Sequence, residues 1–450
     1  GMGKRTNTIL QSAFFKLADI MPIDEAVDYM KQAAKKSYGK KGDAVVEMNY
    51  KAIDAGVDAV HKVEVPESWH NPAPDAPAKE LAGRPELVKM VRDVMEPVAR
   101  MDGDSLPVSA FAKNPNGEWE LGASAYEKRG TAVMVPEWNA EKCIQCNQCA
   151  FVCSHATIRP FCLTADEIAA APASLKSADL KPKPGEYKFT MAVSPLDCMG
   201  CGECVTVCPT KAIEMKPQES QSAQQAAFDY CVENIRKKPG MMAETTVKGS
   251  QFNQPLLEFS GSCAGCAETS YARLITQLFG EKMFISNATG CSSIWGGTAS
   301  ISPYTVNKES GHGPAWINSL FEDNAEHGLG MQIGYETVRE NLIKKVEALK
   351  GKNAELDAVI DKYLETKANT KANDQPAKDL IAALEADGSA EAKEILADKQ
   401  FLAKKSFWIF GGDGWAYDIG YGGLDHVLAS GHDVNVMVFD TEMYSNTGGQ

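Results

Sequence analysis

The sequence "CIQCNQCAFVC", Cys143 to Cys153, carries four cysteines in the spacing C-x2-C-x2-C-x3-C. A second stretch, "CMGCGECVTVCP" from Cys198 to Pro209, repeats that spacing and adds a proline. Three closely spaced thiolates can bind one face of a 4Fe-4S cube while nearby backbone N–H groups point at its sulfurs. The two copies together predict two 4Fe-4S clusters, which carry single electrons.

In this kind of double motif, the fourth cysteine of each copy binds the cluster of the other copy. The first cluster is then held by Cys143, Cys146, Cys149 and Cys208, and the second by Cys198, Cys201, Cys204 and Cys153. The alternative is a pair of zinc sites, which also use C-x2-C pairs. Zinc rarely needs a third cysteine two residues on and a fourth three further, so the spacing favours clusters.

The chain has thirteen cysteines, and the remaining five lie outside these copies. A reducing compartment keeps thiols free, which favours metal ligation over disulfides. Cys263 and Cys266 lie two residues apart in "SGSCAGCAETS", and Cys291 follows in "KMFISNATGCSSIWGG". Cys162 and Cys231 stand alone, and we expect them to be small buried apolar residues.

Length and charge narrow the class of protein. A chain of 450 residues is too long for one core and should divide into several domains. The net charge of -14 and the scattered basic residues argue against nucleic acid as a partner. The sequence contains neither a long apolar run nor a signal peptide, so we expect no membrane association and a cytoplasmic location.

The pattern from residue 250 onward predicts a parallel sheet. Three apolar runs, "KMFISN", "SFWIF" and "DVNVMVFD", are each followed by a Gly-rich turn. Residues 335–400 between them are rich in Lys, Glu and Ala and predict solvated helices. Helices are also predicted in residues 5–60, at "PELVKMVRDVMEPVARM", and as a small insertion between the two cysteine motifs.

Two polar turns follow neighbouring strands of this predicted sheet. Asp413 lies in "FWIFGGDGWAYDIG", while Asp440, Thr441 and Asn446 lie in "VNVMVFDTEMYSNTGG". Because ligands bind at the carboxyl edge of parallel strands, a carboxylate and a hydroxyl there can hold Mg²⁺ and, through it, a diphosphate. A lone GDG is a weak signal, but the combined pattern resembles the thiamine-diphosphate fingerprint, with Thr441 where an Asn is usual.

Several motifs together resemble one family. They are "SAFFKL", "YGKKG", "YEKRG", "CIQCNQC", "SGSCAGC", "NATGCSSIWGG", "GGDGWAYDIGYGG" and "YSNTGGQ". They are similar to those of the pyruvate:ferredoxin oxidoreductases, also called pyruvate synthases. The resemblance covers essentially the whole chain, matches a middle-to-C-terminal portion of the family's chain, and leaves its pyrimidine-binding domain without a match. We therefore expect the sequence to be a piece of a longer protein.

The resemblance implies an α/β multidomain fold. It contains a ferredoxin-like two-cluster α+β domain, then a thiamine-diphosphate-binding parallel-sheet α/β domain, and is preceded by the end of another α/β domain. The implied boundaries are 1–65 for the end of the subunit-gamma-like α/β domain, 66–135 for a linking domain, 136–220 for the two-cluster domain, 221–250 for a linker, and 251–450 for the thiamine-diphosphate-binding domain, cut short at its end.

The resemblance also implies site residues. Cys263, Cys266 and Cys291 match three ligands of a third 4Fe-4S cluster close to the cofactor, whose fourth ligand lies beyond Gln450. Asp413, Thr441 and the carbonyl of Met443 match the Mg²⁺ ligands, and Asn446 matches a catalytic residue close to the thiazolium. The residues matching those around thiamine diphosphate are Glu268, Cys291, Gly412, Asp413, Gly414, Trp415, Thr441, Glu442, Met443, Tyr444, Ser445 and Asn446.

The implied activity is the reversible oxidative decarboxylation of pyruvate with coenzyme A as co-substrate, yielding acetyl-CoA and CO₂. Electrons would pass singly through three 4Fe-4S clusters to ferredoxin or flavodoxin, in a homodimer. Two alternatives remain open. One is a related 2-oxoacid as substrate, and the other is an electron-transfer and cofactor-binding fragment that is inactive alone.

Overall fold

A computed structural model of the chain describes residues 6–70, 80–181, 185–238, 240, 242–298 and 301–442. The chain divides into two compact units, residues 1–80 and 81–450. The first unit contains helices α1 (Asn7–Ala18), α2 (Ile23–Tyr38) and α3 (Asp43–Asp58). This confirms the helices predicted in residues 5–60.

Close packing of α1 on α3 depends on Gly56. A Cβ at this position would lie 2.0 Å from Ser12 Oγ and 2.4 Å from the carbonyl oxygen of Ile9. A larger residue would therefore separate the two helices. Met30 and Ile53 form the small core of this unit with the half-buried side chains around them.

The second unit begins with an interrupted helix. Helix α4 (Pro85–Met90) continues through a π-helical turn, Val91–Met95, into α5 (Glu96–Ala99). Pro85 occupies the first turn, where its missing N–H has no partner to lose. The helix predicted at this point is confirmed, and its buried side chains pack near Ala123.

The cysteine motifs lie between paired strands. The elements, in chain order, are β1 (Met134–Trp138), α6 (Gln148–Val152), β2 (Ile158–Leu163), α7 (Ala165–Ala169), β3 (Ala178–Asp179), β4 (Lys188–Val193), α8 (Glu203–Thr206), β5 (Ile213–Pro217), α9 (Ala223–Asn234) and α10 (Val247–Ser250). Strand β1 pairs antiparallel with β5, and β2 with β4, so each motif and its short helix is flanked by one strand from each pair.

The segment between the two motifs corrects one prediction. Instead of a helical insertion, its main feature is the antiparallel sheet β2-β4-β3, and α7 is a single short helix. Thr164 caps α7 in a reciprocal arrangement with Glu167. The Ala-rich composition suggested a longer helix, but the apolar runs "IRPFCL" and "KFTMAV" form strands because they bury side chains against the cysteine-bearing core.

The last part of the chain contains a parallel sheet. Its elements are α11 (Ala267–Phe279), β6 (Met283–Asn287), α12 (Cys291–Gly296), β7 (Ala315–Asn318), α13 (Asn324–Ala348), α14 (Ala354–Thr366), α15 (Asp374–Asp387), α16 (Ala390–Ala397), β8 (Ser406–Gly412), α17 (Tyr421–Ser430) and β9 (Val434–Phe439). The strand order is β7-β6-β8-β9, and all three pairings are parallel. The three predicted parallel strands are confirmed.

The helices α13 to α16 form an insertion between β7 and β8 with a core of its own. Val346, Ile360, Leu380 and Ile395 are buried in it. Charged side chains cover its surface, as in the exposed ion pair of Lys352 with Glu391. The predicted Lys-, Glu- and Ala-rich helices are thus confirmed, and the insertion packs on its own apolar side chains.

Candidate redox and cofactor sites

The first cysteine set surrounds a cavity. Cys143, Cys146, Cys149 and Cys208 all line it, together with apolar side chains such as Met191. Burial raises the pKa of the Cys149 thiol strongly, and the neighbouring thiols of this same set raise it further. Four thiolates in an apolar cavity repel one another, which favours the protonated thiols. Bound iron would compensate these charges and stabilise the thiolate forms.

The second set is brought together in the same way. Burial raises the pKa of Cys198 to about 12, and the proximity of Cys153 and Cys201 adds to this shift. Burial is also the main cause of the raised pKa of Cys204, followed by Cys153. The fourth cysteine of the first motif therefore lies with the first three of the second motif, as the exchange of ligands between copies requires.

Backbone N–H groups point at the cysteine sulfurs in a repeated arrangement. In each motif the first sulfur accepts from the residue two positions later, and the fourth sulfur from the residue four positions later. The donor to sulfur distances are 3.3 Å for Gln145 to Cys143, 3.4 Å for Gly200 to Cys198, 3.4 Å for Thr157 to Cys153 and 3.1 Å for Ala212 to Cys208. Such donors stabilise thiolates, so both sets fit a 4Fe-4S cluster.

The loops that aim these N–H groups use left-handed backbone conformations. Gly200 and Gly202 have φ of 71° and 83°, and the matching residues of the first motif, Gln145 and Asn147, have φ of 60° and 62°. Side-chain hydrogen bonds offset the strain at the two non-glycine residues. The Gln145 amide nitrogen donates to the Asp179 carbonyl at 2.7 Å, and Asn147 makes a similar bond across the domain.

Cys143, Cys146, Cys149 and Cys208 surround an open volume instead of converging on a point. Within the described ranges, no three His, Cys, Asp or Glu side chains lie close enough together to hold a single metal ion. A 4Fe-4S cube separates its ligand sulfurs more widely than one tetrahedral ion does. The open volume within the first set accordingly has room for a cube.

The third cysteine group begins in the turn before α11. Cys266 immediately precedes this helix, and its N–H donates to the Cys263 carbonyl at 3.1 Å. Between them, Gly265 has φ of 74°, and a Cβ on it would lie 3.4 Å from the Cβ of Cys201. The turn that holds Cys263 and Cys266 therefore lies directly against the second cysteine set.

Cys291 lies on a separate element, at the first position of α12 beyond the carboxyl end of β6. A buried hydrogen bond joins this helix to α11, since Trp295 Nε1 donates to Glu268 Oε2 at 3.0 Å. Burial raises the pKa of Glu268, and the nearby Asp413 charge adds to this shift, while the Trp295 bond opposes it. Glu268 thus lies two residues after Cys266, is bonded to the helix that begins at Cys291, and is close to Asp413.

The ends of β8 and β9 meet at Asp413. Its Oδ1 accepts the Gly414 N–H at 2.9 Å, and its Oδ2 accepts the Thr441 N–H at 3.0 Å. Tyr417 donates to Asp440 at 2.7 Å beside them. Carboxylate and hydroxyl oxygens are the ligands that Mg²⁺ prefers, so Asp413 and Thr441 fit such an ion.

Of the other residues predicted around the cofactor near Asp413, some are described by the structure and some are not. Gly412 ends β8, buried Trp415 starts the turn after it, and Glu442 follows Thr441 with φ of 55°. The other predicted residues, Met443, Tyr444, Ser445 and Asn446, lie outside the described residues.

Sequence reasoning missed the polar residues that join the cysteine-bearing segments. Buried His155 lies 3.2 Å from the Ser260 carbonyl and 3.1 Å from the Cys263 carbonyl. Buried Arg159 pairs with Glu258, and Arg273 is buried in α11. Arg159 and Arg273 each interrupt an apolar run, "TIRPFC" and "YARLITQLF", which is the signal that could have found them.

Lys128 and Arg129 also contact the two cysteine-bearing segments, one at Asp197 and the other at Ser260. Lys128 Nζ lies 2.6 Å from Asp197, directly before Cys198, and 4.9 Å above the ring centroid of Phe259. Arg129 Nη1 donates to the Ser260 carbonyl at 3.1 Å. Burial raises the pKa of Asp197, and Lys128 opposes this shift. This basic pair thus connects the second motif to the turn holding Cys263.

No helix among the described residues has the length and apolar composition needed to cross a membrane.

Family profiles match two segments of the chain. Residues 75–132 match EKR, a domain of unknown function, and residues 142–212 match a 4Fe-4S dicluster domain. The second match covers both cysteine motifs, so the predicted 4Fe-4S clusters of this domain are supported independently of the geometry.

Curated relatives match the whole chain. The pyruvate-flavodoxin oxidoreductase of Klebsiella pneumoniae is 50% identical and the pyruvate:ferredoxin oxidoreductase of Moorella thermoacetica 48% identical, each over 100% of this chain. The chain spans 38% and 39% of their lengths. The mitochondrial pyruvate dehydrogenase [NADP(+)] of Euglena gracilis is 44% identical over 100% of the chain and 25% of its own length. Over the segment that it spans, the chain is therefore similar along its whole length to pyruvate:ferredoxin and pyruvate-flavodoxin oxidoreductases.

Proposed function

We propose that this chain is the electron-transfer and cofactor-binding part of an enzyme that oxidises pyruvate. With coenzyme A as co-substrate, that enzyme would release CO₂ and form acetyl-CoA reversibly, and it would pass electrons to ferredoxin or flavodoxin. The observations that carry this proposal are that the two four-cysteine sets adjoin each other and that the turn of Cys263 and Cys266 lies against the second set. Glu268, in the helix after that turn, lies close to Asp413. The names of the relatives supply the substrate and the acceptors.

The residues at the sheet edge would hold the cofactor. Asp413 and Thr441 would bind Mg²⁺, and through it thiamine diphosphate, while Glu268 would lie close to that cofactor. When bound, thiamine diphosphate supplies the electron sink for decarboxylation. The part of this chain is to fix the diphosphate end: two backbone N–H groups orient the Asp413 carboxylate before any ion binds.

The cysteine sets would form a linear path for electrons. The third group, Cys263, Cys266 and Cys291, would be closest to the cofactor. The second set would follow, because a Cβ at Gly265 would lie 3.4 Å from that of Cys201, and His155 connects its segment to Cys263. The first set would be last, because Cys149 lies close enough to Cys204 to affect its pKa.

A chimera tests the proposal. This chain would replace the matching segment of the Klebsiella pneumoniae relative, and anaerobic viologen reduction would be measured with pyruvate and coenzyme A. We expect reduction that depends on both compounds and is lost in the Cys204→Ala variant. A chimera that loads iron and sulfide fully but does not reduce viologen would contradict the proposal.

Two further measurements address the alternatives. A panel of other 2-oxoacids on the same chimera would show whether the path serves a substrate other than pyruvate. The 450-residue chain assayed alone tests the fragment alternative, since robust activity in it would show that this segment is sufficient. The mass of the same chimera in solution would show whether it forms the proposed homodimer.

A further inference from the structure

Arg273 is a buried cation in the middle of α11. Its side chain is 1% exposed. Its Nη1 donates to Gln277 at 2.8 Å and to Gln251 at 3.2 Å, and its Nη2 donates to the Phe151 carbonyl at 2.5 Å. All three acceptors are neutral, and Nε has no partner among the described residues.

A guanidinium in this position needs a negative charge nearby. Burying an ion is costly unless a counter-charge and hydrogen bonds offset the loss of water. Across the described ranges no carboxylate lies within ion-pair distance of Arg273, and the nearby Arg159 is already paired with Glu258. Burial lowers the pKa of Arg273 to about 10, with Cys153 opposing the shift, so the side chain is still charged at neutral pH.

We propose that Arg273 is the counter-ion of the 4Fe-4S cluster held by Cys153, Cys198, Cys201 and Cys204, and that its charge raises the reduction potential of that cluster. The guanidinium donates to the carbonyl of Phe151, which lies midway between Cys149 and Cys153, and Cys153 is the cysteine close enough to act on its pKa. The turn that leads into α11 lies against Cys201 of the same set. Arg273 is therefore assigned to this cluster. Reduction adds one electron to the cluster, and a fixed positive charge in a region of low dielectric constant favours the more negative state. This inference rests on the proposed ligand sets.

The other cluster has a different electrostatic environment. Cations near its cysteines include Lys181, which donates to the Cys143 carbonyl, and Lys248, which is close to Cys143 and Cys146. Lys181 is exposed, and solvent screens exposed charges far more than buried ones. The two clusters should therefore differ in potential, and only one should respond to substitution of Arg273.

Two variants test this by different means. Arg273→Gln removes the charge, while Gln277→Glu keeps the arginine and places a carboxylate against its Nη1. Arg273→Lys keeps a cation and is the matched control. Each cluster-loaded protein would be titrated with dithionite at controlled potential, and the two clusters would be followed by electron paramagnetic resonance.

We expect both Arg273→Gln and Gln277→Glu to shift the one-electron equilibrium of a single cluster at least tenfold toward the oxidised state, which is about 59 mV. Arg273→Lys should shift it less than threefold, and the second signal should stay unchanged in all three. If Arg273→Gln and Gln277→Glu bind full iron and sulfide and both potentials are unchanged, the role of Arg273 is overturned. The proposed ligand sets would not be affected by that result. A wild-type protein that cannot bind iron and sulfide would instead overturn the ligand sets, and this inference with them.

Discussion

A buried ion pair between Glu258 and Arg159 joins the strand after the first cysteine motif to the segment that leads into Cys263. The two side chains are 8% and 7% exposed. Arg159 Nε also donates to the Ala156 carbonyl at 2.6 Å, and the guanidinium lies 5.1 Å from the ring centroid of Phe259. The guanidinium is therefore held from several sides, and Glu258 supplies the compensating charge.

The Glu258→Gln substitution keeps the volume of the side chain and removes its charge. Removing one partner of a buried ion pair costs about 3–5 kcal/mol, because the remaining charge stays buried without compensation. Gln retains one oxygen acceptor, and the ring of Phe259 still faces the Arg159 guanidinium. We therefore expect a loss of folding free energy at the lower end of this range, about 3 kcal/mol. Such a loss lowers the folding equilibrium constant by roughly two orders of magnitude.

The matched control is Glu391→Gln at an exposed pair. Glu391 and Lys352 are 3.2 Å apart, and their side chains are 59% and 56% exposed. Exposed pairs contribute about 0–1 kcal/mol, so this variant should lose at most that much. Urea unfolding would be followed by both tryptophan fluorescence and circular dichroism, since a chain with several domains need not unfold in one step. Equal losses in the two variants would refute the reasoning.

Three more outcomes follow from the sites. Cys153→Ala should lower the iron content from about eight atoms to about four. As a control, Cys162→Ala, at a buried cysteine that is 4% exposed, should leave the iron content unchanged. Full iron in Cys153→Ala would exclude Cys153 as a ligand. Asp413→Asn should weaken thiamine-diphosphate binding with Mg²⁺ at least ~10-fold by calorimetry in the chimera, and an unchanged Kd would contradict its role. Lys128→Met should lower the melting temperature more at pH 8 than at pH 5. Burial already raises the pKa of Asp197, and without Lys128 its ionised form is destabilised further in the folded state, so the loss shrinks as Asp197 takes up a proton. A loss independent of pH would contradict this explanation.

The sequence predicted best what depends on local geometry. The spacing within each cysteine motif indicated 4Fe-4S clusters because a few turn conformations decide where the thiols point. The strands of the parallel sheet were equally clear, because β6, β8 and β9 are short apolar runs bounded by glycines.

Contacts between segments that are distant along the chain could not be predicted from the sequence. Strand β6 lies between β7 and β8, although the whole helical insertion separates β7 from β8 along the chain. Arg159 and Glu258 are 99 residues apart, and Arg273 bonds to a carbonyl 122 residues earlier. No periodic pattern links such positions, so an arginine in an apolar run indicates a buried partner without identifying it.

The junction between the cysteine-bearing segments relies on three arginines. Arg159 pairs with Glu258, Arg129 bonds to the Ser260 carbonyl, and Arg273 bonds to a carbonyl of α6. Arginine suits this place because its planar fork can donate in several fixed directions at once. Since the three links start from different elements, the loss of one leaves two in place. The Glu258→Gln variant should therefore be less stable while its cysteine sets remain adjacent, so that stability and electron transfer between clusters can be perturbed separately.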